Sequence, residues 1–278
     1  PAYAISVTYE HTDLWEDGYN PYVIESAKKS IPKVFEKLEN GEDVNVVIFG
    51  DSASCGWSTS GLNYVKGIYA ADGTLVDNVL NFAPYTLPWP SLLENQLKKL
   101  YPDANITFKN LALGGKNAEW GYKNIVKRLG YLGEDWDTDL MILAYGGNDL
   151  TAGHTPETFK SNMQAIIDTV RKDTTNGAGP DTEILLWSQY ICNTDVEQYT
   201  LDKHMAYRDV YIELASENEG VGLSDSLGEF AEILKSKEIV DIFNTNVNHG
   251  NDFLTRVIAQ SLIASLSQPE YLAGDIDD

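Results

Sequence analysis

The chain has 278 residues, enough for one large α/β domain with a substantial core and a short extension. Its 43% hydrophobic and 22% charged residues are a globular composition, and no apolar run approaches the roughly 20 residues that cross a bilayer. Forty-two acidic against 20 basic residues give a net charge of -22, a field that repels phosphate backbones and anionic membranes but not neutral substrates. We therefore expect neither nucleic acid nor membrane as a partner.

Pro1 opens the chain without a signal-peptide pattern, so we expect a trimmed chain, either a mature secreted protein or a fragment with flanking domains in a longer parent. Residues 3–9 alternate loosely and read as an edge strand, and residues 23–39 read as a helix ending at Gly41. Residues 44–49 form a first strand. Residues 57–90 are rich in Gly, Asn, Pro and Tyr without periodicity, and loops of that length are usually functional. A regular alternation follows: helix 90–100, strand 106–111, helix 118–129, strand 140–144, helix 156–172, strand 184–187 and helix 201–217. A weak strand at 221–223 and a helix at 253–266 close the domain, and the acidic tail 268–278 reads as a disordered end or linker. The pattern predicts a three-layer α/β fold with a parallel central sheet. We divide it into an N-terminal extension (1–42), the main domain (43–267) and the tail (268–278).

Chemistry gathers at the strand ends. Val46-Val47-Ile48-Phe49 runs into Gly50-Asp51-Ser52, where glycine permits a sharp turn and the serine projects from the carboxyl edge of the sheet. Next come Asn110-Leu111-Ala112-Leu113-Gly114-Gly115-Lys116-Asn117, then Tyr145-Gly146-Gly147-Asn148-Asp149, and before the last helix Asn246-Val247-Asn248-His249. Any one of these is an ordinary turn or helix cap. Together, converging at one sheet edge, they supply a serine, backbone donors, an amide and an imidazole, which is an acyl-transfer set.

With these four blocks the sequence resembles the SGNH hydrolase superfamily, also called the GDSL esterase/lipase family, over residues 44–266. The resemblance implies a flavodoxin-like fold and no metal or organic cofactor. It casts Ser52 as nucleophile and His249 as its general base. The oxyanion hole would be the backbone N–H of Ser52, the backbone N–H of Gly115 (or Gly114 if the turn is shifted) and the side-chain amide of Asn148. Each such donor is worth roughly 3–4 kcal/mol.

One position departs from the family pattern. Asn246 stands three residues before His249, where most members carry the aspartate that orients the histidine. Three readings compete: a working Ser–His dyad with Asn246 or a carbonyl accepting the imidazole N–H, a substitute carboxylate such as Asp241 or Glu119, or an inactivating substitution. The dyad is favoured, although aspartate-to-asparagine costs about 10⁴ in a serine protease.

Among the other histidines, His11, His154 and His204 show no metal-ligand spacing. Cys55 and Cys192 lie just past strand ends, as a disulfide or as two buried thiols. Trp57, Trp89, Trp120, Tyr145 and Tyr190 are candidate sugar-stacking residues, with core filling as the alternative. The whole pattern, His11 and Trp15 included, looks like bacterial SGNH enzymes of polysaccharide deacetylation. The expectation is a secreted or cell-surface carbohydrate acetyl esterase. A lipase, lysophospholipase or thioesterase of the same fold is one alternative, and a carbohydrate-binding protein with weak catalysis is another.

Overall fold

The computed structural model describes residues 24–60, 68–76, 86–172, 177–245 and 247–267. The expected edge strand at 3–9, His11, Trp15, Asn246 and the tail 268–278 lie outside them. Seven strands form one sheet: β1 (Asp43–Gly50), β2 (Ile68–Tyr69), β3 (Leu75–Val76), β4 (Asn105–Asn110), β5 (Leu140–Ala144), β6 (Glu183–Trp187) and β7 (Val221–Ser224). Their order is β3-β2-β4-β1-β5-β6-β7. The five longer strands are parallel neighbours, and the short antiparallel hairpin β2–β3 adds to the β4 edge. The parallel part is the flavodoxin-like order, in which the chain reverses direction across the sheet between β1 and β5. Ligands bind outside the carboxyl ends of such strands, and Ser52 and Asn148 follow the two strands that flank the reversal.

Eight helices accompany the strands among the described residues: α1 (Pro32–Asn40), α2 (Trp89–Leu100), α3 (Ala118–Leu129), α4 (Gly147–Thr151), α5 (Pro156–Lys172), α6 (Leu201–Glu217), α7 (Ser226–Ile233) and α8 (Asp252–Ser265). None is long and apolar enough to cross a membrane. α5 packs between α3 and α6, while α2 packs on α8. Phe159, Met163, Ile166, Ile167 and Val170 form the buried face of α5, each contributing roughly 1.5–3 kcal/mol by leaving water.

The helix expected over residues 23–39 is split. A 3-10 turn at Ala27–Lys29 is followed by Ile31 at φ -129°, ψ 59°, and α1 starts only at Pro32. Proline clashes with a helical residue before it but is well suited to the first helical position. Glu183, buried at the start of β6, reaches over to accept from Lys33 N (3.2 Å) and Val34 N (2.8 Å), satisfying the amide groups that open α1. The far end closes on Gly41 at φ 73°.

Candidate active site

Gly50 ends β1 because nothing larger fits: a Cβ there would lie 2.2 Å from Ala144 O in β5. The chain then turns tightly, with Cys55 N donating to Asp51 O (3.1 Å) and Trp57 N to Ser52 O (3.2 Å). Asn110 ties this turn to the glycine block: its Nδ2 donates to Ser54 O (2.9 Å) and its Oδ1 accepts from Ala112 N (2.9 Å). Arg128, buried on α3, pins the other side by donating to Leu111 O, Tyr69 O and Ala70 O. In sequence it is indistinguishable from a surface helix arginine.

Across the cleft, His249 sits in a loop held from several directions. Its carbonyl accepts from Asn244 N (2.9 Å) and its N–H donates to Thr245 Oγ1 (3.2 Å). Tyr190 donates its hydroxyl to Asn248 O (2.6 Å), and Asn193 N donates to Val247 O (2.8 Å). The result is a distance of 2.8 Å between His249 Nε2 and Ser52 Oγ. Such a hydroxyl–imidazole pair is arranged to pass a proton as the oxygen attacks.

Burial lowers the His249 pKa from the ordinary 6.5, and no charged neighbour contributes. Of the substitute carboxylates considered, Glu119 pairs with Lys123 and lies 4.0 Å from His154. Asp241 is exposed, and its carbonyl accepts from Asn251. Neither acts on His249. A general base must be neutral, so kcat/KM should hold steady above pH 6.5 and fall as the pH drops through the lowered value. A pH–rate profile with its acid midpoint below 6.5 is the expected result; a midpoint above it would mean an unrecognised anion beside the ring.

Asn148 is the second residue of α4, whose cap Gly146 takes φ 142°. Its Nδ2 donates to Lys116 O (2.9 Å) and to Asp51 Oδ2 (3.2 Å). Both partners are pure acceptors, which fixes the amide orientation. An incoming substrate oxygen would therefore share or replace the longer contact. Gly115, at φ 73°, has an open flank where a side chain would stand. The alternative donor Gly114 instead faces the buried Cys55 thiol.

Asp51 is a fully buried carboxylate whose pKa desolvation pushes up to about 6, against hydrogen bonds from Gln189, Ala53 and Ser54. Asp149, also buried, accepts from Ala118 N (3.1 and 3.0 Å) at the start of α3 and from His154 (3.0 Å). Sequence reasoning named neither Gln189 nor these carboxylates as parts of the site.

The aromatic candidates divide. Trp57 is 47% exposed and stands 5.7 Å from the His249 ring, beside Gly114. Trp120 is half-buried with the Lys116 ammonium 5.6 Å above it. Tyr145 is 0% exposed in the core, so its expected substrate contact is corrected: Phe49 and Gly121 enclose its ring. Trp89, 1% exposed, is likewise no sugar platform, because its indole donates to Ala53 O (2.7 Å) and packs on Trp187. Tyr190 is buried among Trp187, Phe230 and Phe243, with its hydroxyl committed to the histidine loop. Cys55 and Cys192 are free, buried thiols.

Ala53 and Gly250, the chain neighbours of Ser52 and His249, wall a pocket of about 10 Å³ together with Trp57, Trp89, Tyr190 and Ile258, room for one water-sized group. A cavity of about 530 Å³ lies at the opposite edge of the sheet, among Lys33, Arg171, Glu183 and Asn218, away from this chemistry.

The model of the GDSL-like lipase/acylhydrolase family matches residues 48–239. The chain belongs to that family. The matched stretch stops short of His249. Comparison with curated proteins finds no match. Among solved structures, a two-domain esterase active on acetylated mannans is similar at a TM-score of 0.56 and 17% identity, over 90% of this chain and 55% of that one. The chain thus spans little more than half the length of that esterase. A catalytic mutant of Axe2, an acetylxylan esterase from Geobacillus stearothermophilus, matches at a TM-score of 0.58 and 13% identity, over 81% of this chain and 94% of that one. TesA matches at 0.54 and 16%, over 80% and 98%. At these identities the likenesses establish the shared fold.

Proposed function

We propose that the protein is a serine esterase that removes acetyl groups from polysaccharide through an acyl-serine intermediate. The observation that carries this reading is the 2.8 Å contact between Ser52 Oγ and His249 Nε2. Ser52 Oγ attacks the ester carbonyl while His249 takes its proton. Negative charge collects on the carbonyl oxygen, facing the N–H groups of Ser52 and Gly115 and the amide of Asn148. As the intermediate collapses, His249 returns the proton to the departing sugar oxygen. Water then enters, loses a proton to His249 and releases acetate, and the proton goes back to Ser52.

Two features support a small acyl group on a carbohydrate. The water-sized pocket walled by Ala53, the residue after Ser52, suits a methyl group better than a longer chain, and Trp57, 47% exposed, stands next to His249 where a sugar ring could stack. The acetyl-esterase relatives of the same fold agree with this reading. The acidic chain and a polymeric substrate suit an exported bacterial protein. The net-negative surface presents no charge barrier to a neutral polymer.

The test is a panel of acetate release from acetylated xylan and acetylated mannan, with p-nitrophenyl acetate and octanoate alongside. We expect acetate from at least one polymer and a kcat/KM for octanoate lower by about 100-fold or more, since a chain longer than the pocket must stay in water or force the walls apart. Faster turnover of the octanoate would point to a lipase or thioesterase instead.

A further inference from the structure

Gln189 lies two residues past β6, and no motif marks it. It is buried, and its backbone takes φ 63°, in the left-handed region that a side chain disfavours. Its amide spans the two residues that adjoin the chemistry. Nε2 donates to Asp51 Oδ1 (3.0 Å), next to Ser52, and Oε1 accepts from Gly147 N (3.3 Å), next to Asn148. A carboxylate only accepts and a backbone N–H only donates, so the amide has one orientation.

Both contacts lead to Asn148. Asp51 is an acceptor for the Asn148 amide through its other oxygen. Gly147 opens α4, whose cap Gly146 has no side chain to satisfy the helix N–H groups, so Gln189 supplies that acceptor from the loop after β6. We infer that Gln189 is a positioning residue for the oxyanion donor Asn148, setting its amide through Asp51 on one side and through the start of α4 on the other. This rests on the oxyanion role assigned to Asn148 in the proposed mechanism. Without Gln189, Asp51 Oδ1 keeps the Ala53 N–H (2.9 Å) but loses the side-chain donor that helps hold its charge in a desolvated place. The carboxylate is then held by its own turn alone, and the Asn148 amide it orients is held less firmly.

The test is Gln189→Met, which keeps the chain length and removes both hydrogen bonds, assayed with p-nitrophenyl acetate in the unaltered and the Asn148→Ala backgrounds. We expect kcat to fall about 10- to 30-fold with KM within about twofold in the first background, and by less than about twofold in the second, because the two residues act as one unit. An unchanged kcat, or the same loss in both backgrounds, overturns the inference; the latter would make Gln189 a support of the fold alone. Should the methionine variant fail to fold, Asp51→Asn carries the same comparison, since it replaces an acceptor oxygen by a donor on the same route. Ser52→Ala serves as the control for the underlying reading. A Ser52→Ala chain as active as the unaltered one overturns the acyl-serine mechanism and this inference together, whereas an inactive Ser52→Ala with an unaffected Gln189→Met overturns the inference alone.

Discussion

Ser52→Ala should lower kcat/KM for p-nitrophenyl acetate by at least ~10⁴, which is the scale on which serine hydrolases lose activity with their nucleophile. The substitution removes one oxygen whose partner is His249 Nε2, and leaves the turn from Asp51 to Trp57 with its backbone hydrogen bonds. The fold should therefore survive, with a Tm close to that of the unaltered chain. The two thiols are not substitutes. Cys55 is three residues away, but burial pushes its thiol far up and keeps it protonated, and Cys192 is held the same way. Steady-state kinetics beside a thermal melt check both halves of the expectation. Residual activity within tenfold of the unaltered chain would remove Ser52 from the mechanism.

Asn148→Ala should lower kcat by about 10²–10³ and leave KM within about threefold, as expected for a donor that acts mainly in the transition state. The amide has two hydrogens, and the structure commits them to Lys116 O and Asp51 Oδ2. As the carbonyl oxygen gains charge, the longer contact to Asp51 is the one that yields. Ground-state binding gains little from that exchange, whereas the charged intermediate gains a donor. Asn148→Asp should be worse than alanine, because a carboxylate there would stand beside Asp51 and face the developing negative charge. A rise in KM with kcat unchanged would show that Asn148 binds substrate without serving the oxyanion.

The regular part of the fold was legible because its punctuation is chemical. Asn117 caps α3 through Trp120 N (2.9 Å), and Asn251 caps α8 through Phe253 N and Leu254 N, both where a polar residue precedes an apolar period. The split before Pro32 was missed because the apolar spacing runs through it, although the proline itself carries the signal. α4 is five residues on a glycine-rich block, too short for any periodicity to register, and α7 follows β7 after a single residue. The hairpin β2–β3 lies in a stretch whose composition reads as loop.

The site was legible in its reacting groups and not in its supports. Gly50, Ser52, Asn148 and His249 each stand at a strand end or before a helix, where a polar residue is conspicuous. Gln189 and Arg128 are single residues whose importance comes from the distant segments they join, Asp51 with Gly147 and Leu111 with Tyr69 and Ala70. Tyr145, Trp89 and Tyr190 are in the core for a geometric reason. Tyr145 directly follows a fully buried strand, and sequence does not say that its ring turns inward beneath Gly121.

The central claim is that Ser52 and His249 form a working nucleophile–base pair. It is tested most directly by treating the protein with a p-nitrophenyl dialkyl phosphate and mapping the label by peptide mass spectrometry while activity is followed. Attack by Ser52 Oγ on phosphorus releases p-nitrophenolate and leaves a stable ester that water does not readily reach. The account predicts one label per chain, on the peptide carrying Ser52, with esterase activity lost in proportion and no labelling of Ser52→Ala or His249→Ala. Activity that persists after Ser52 is fully labelled, or a label that settles on another residue as activity disappears, would contradict it.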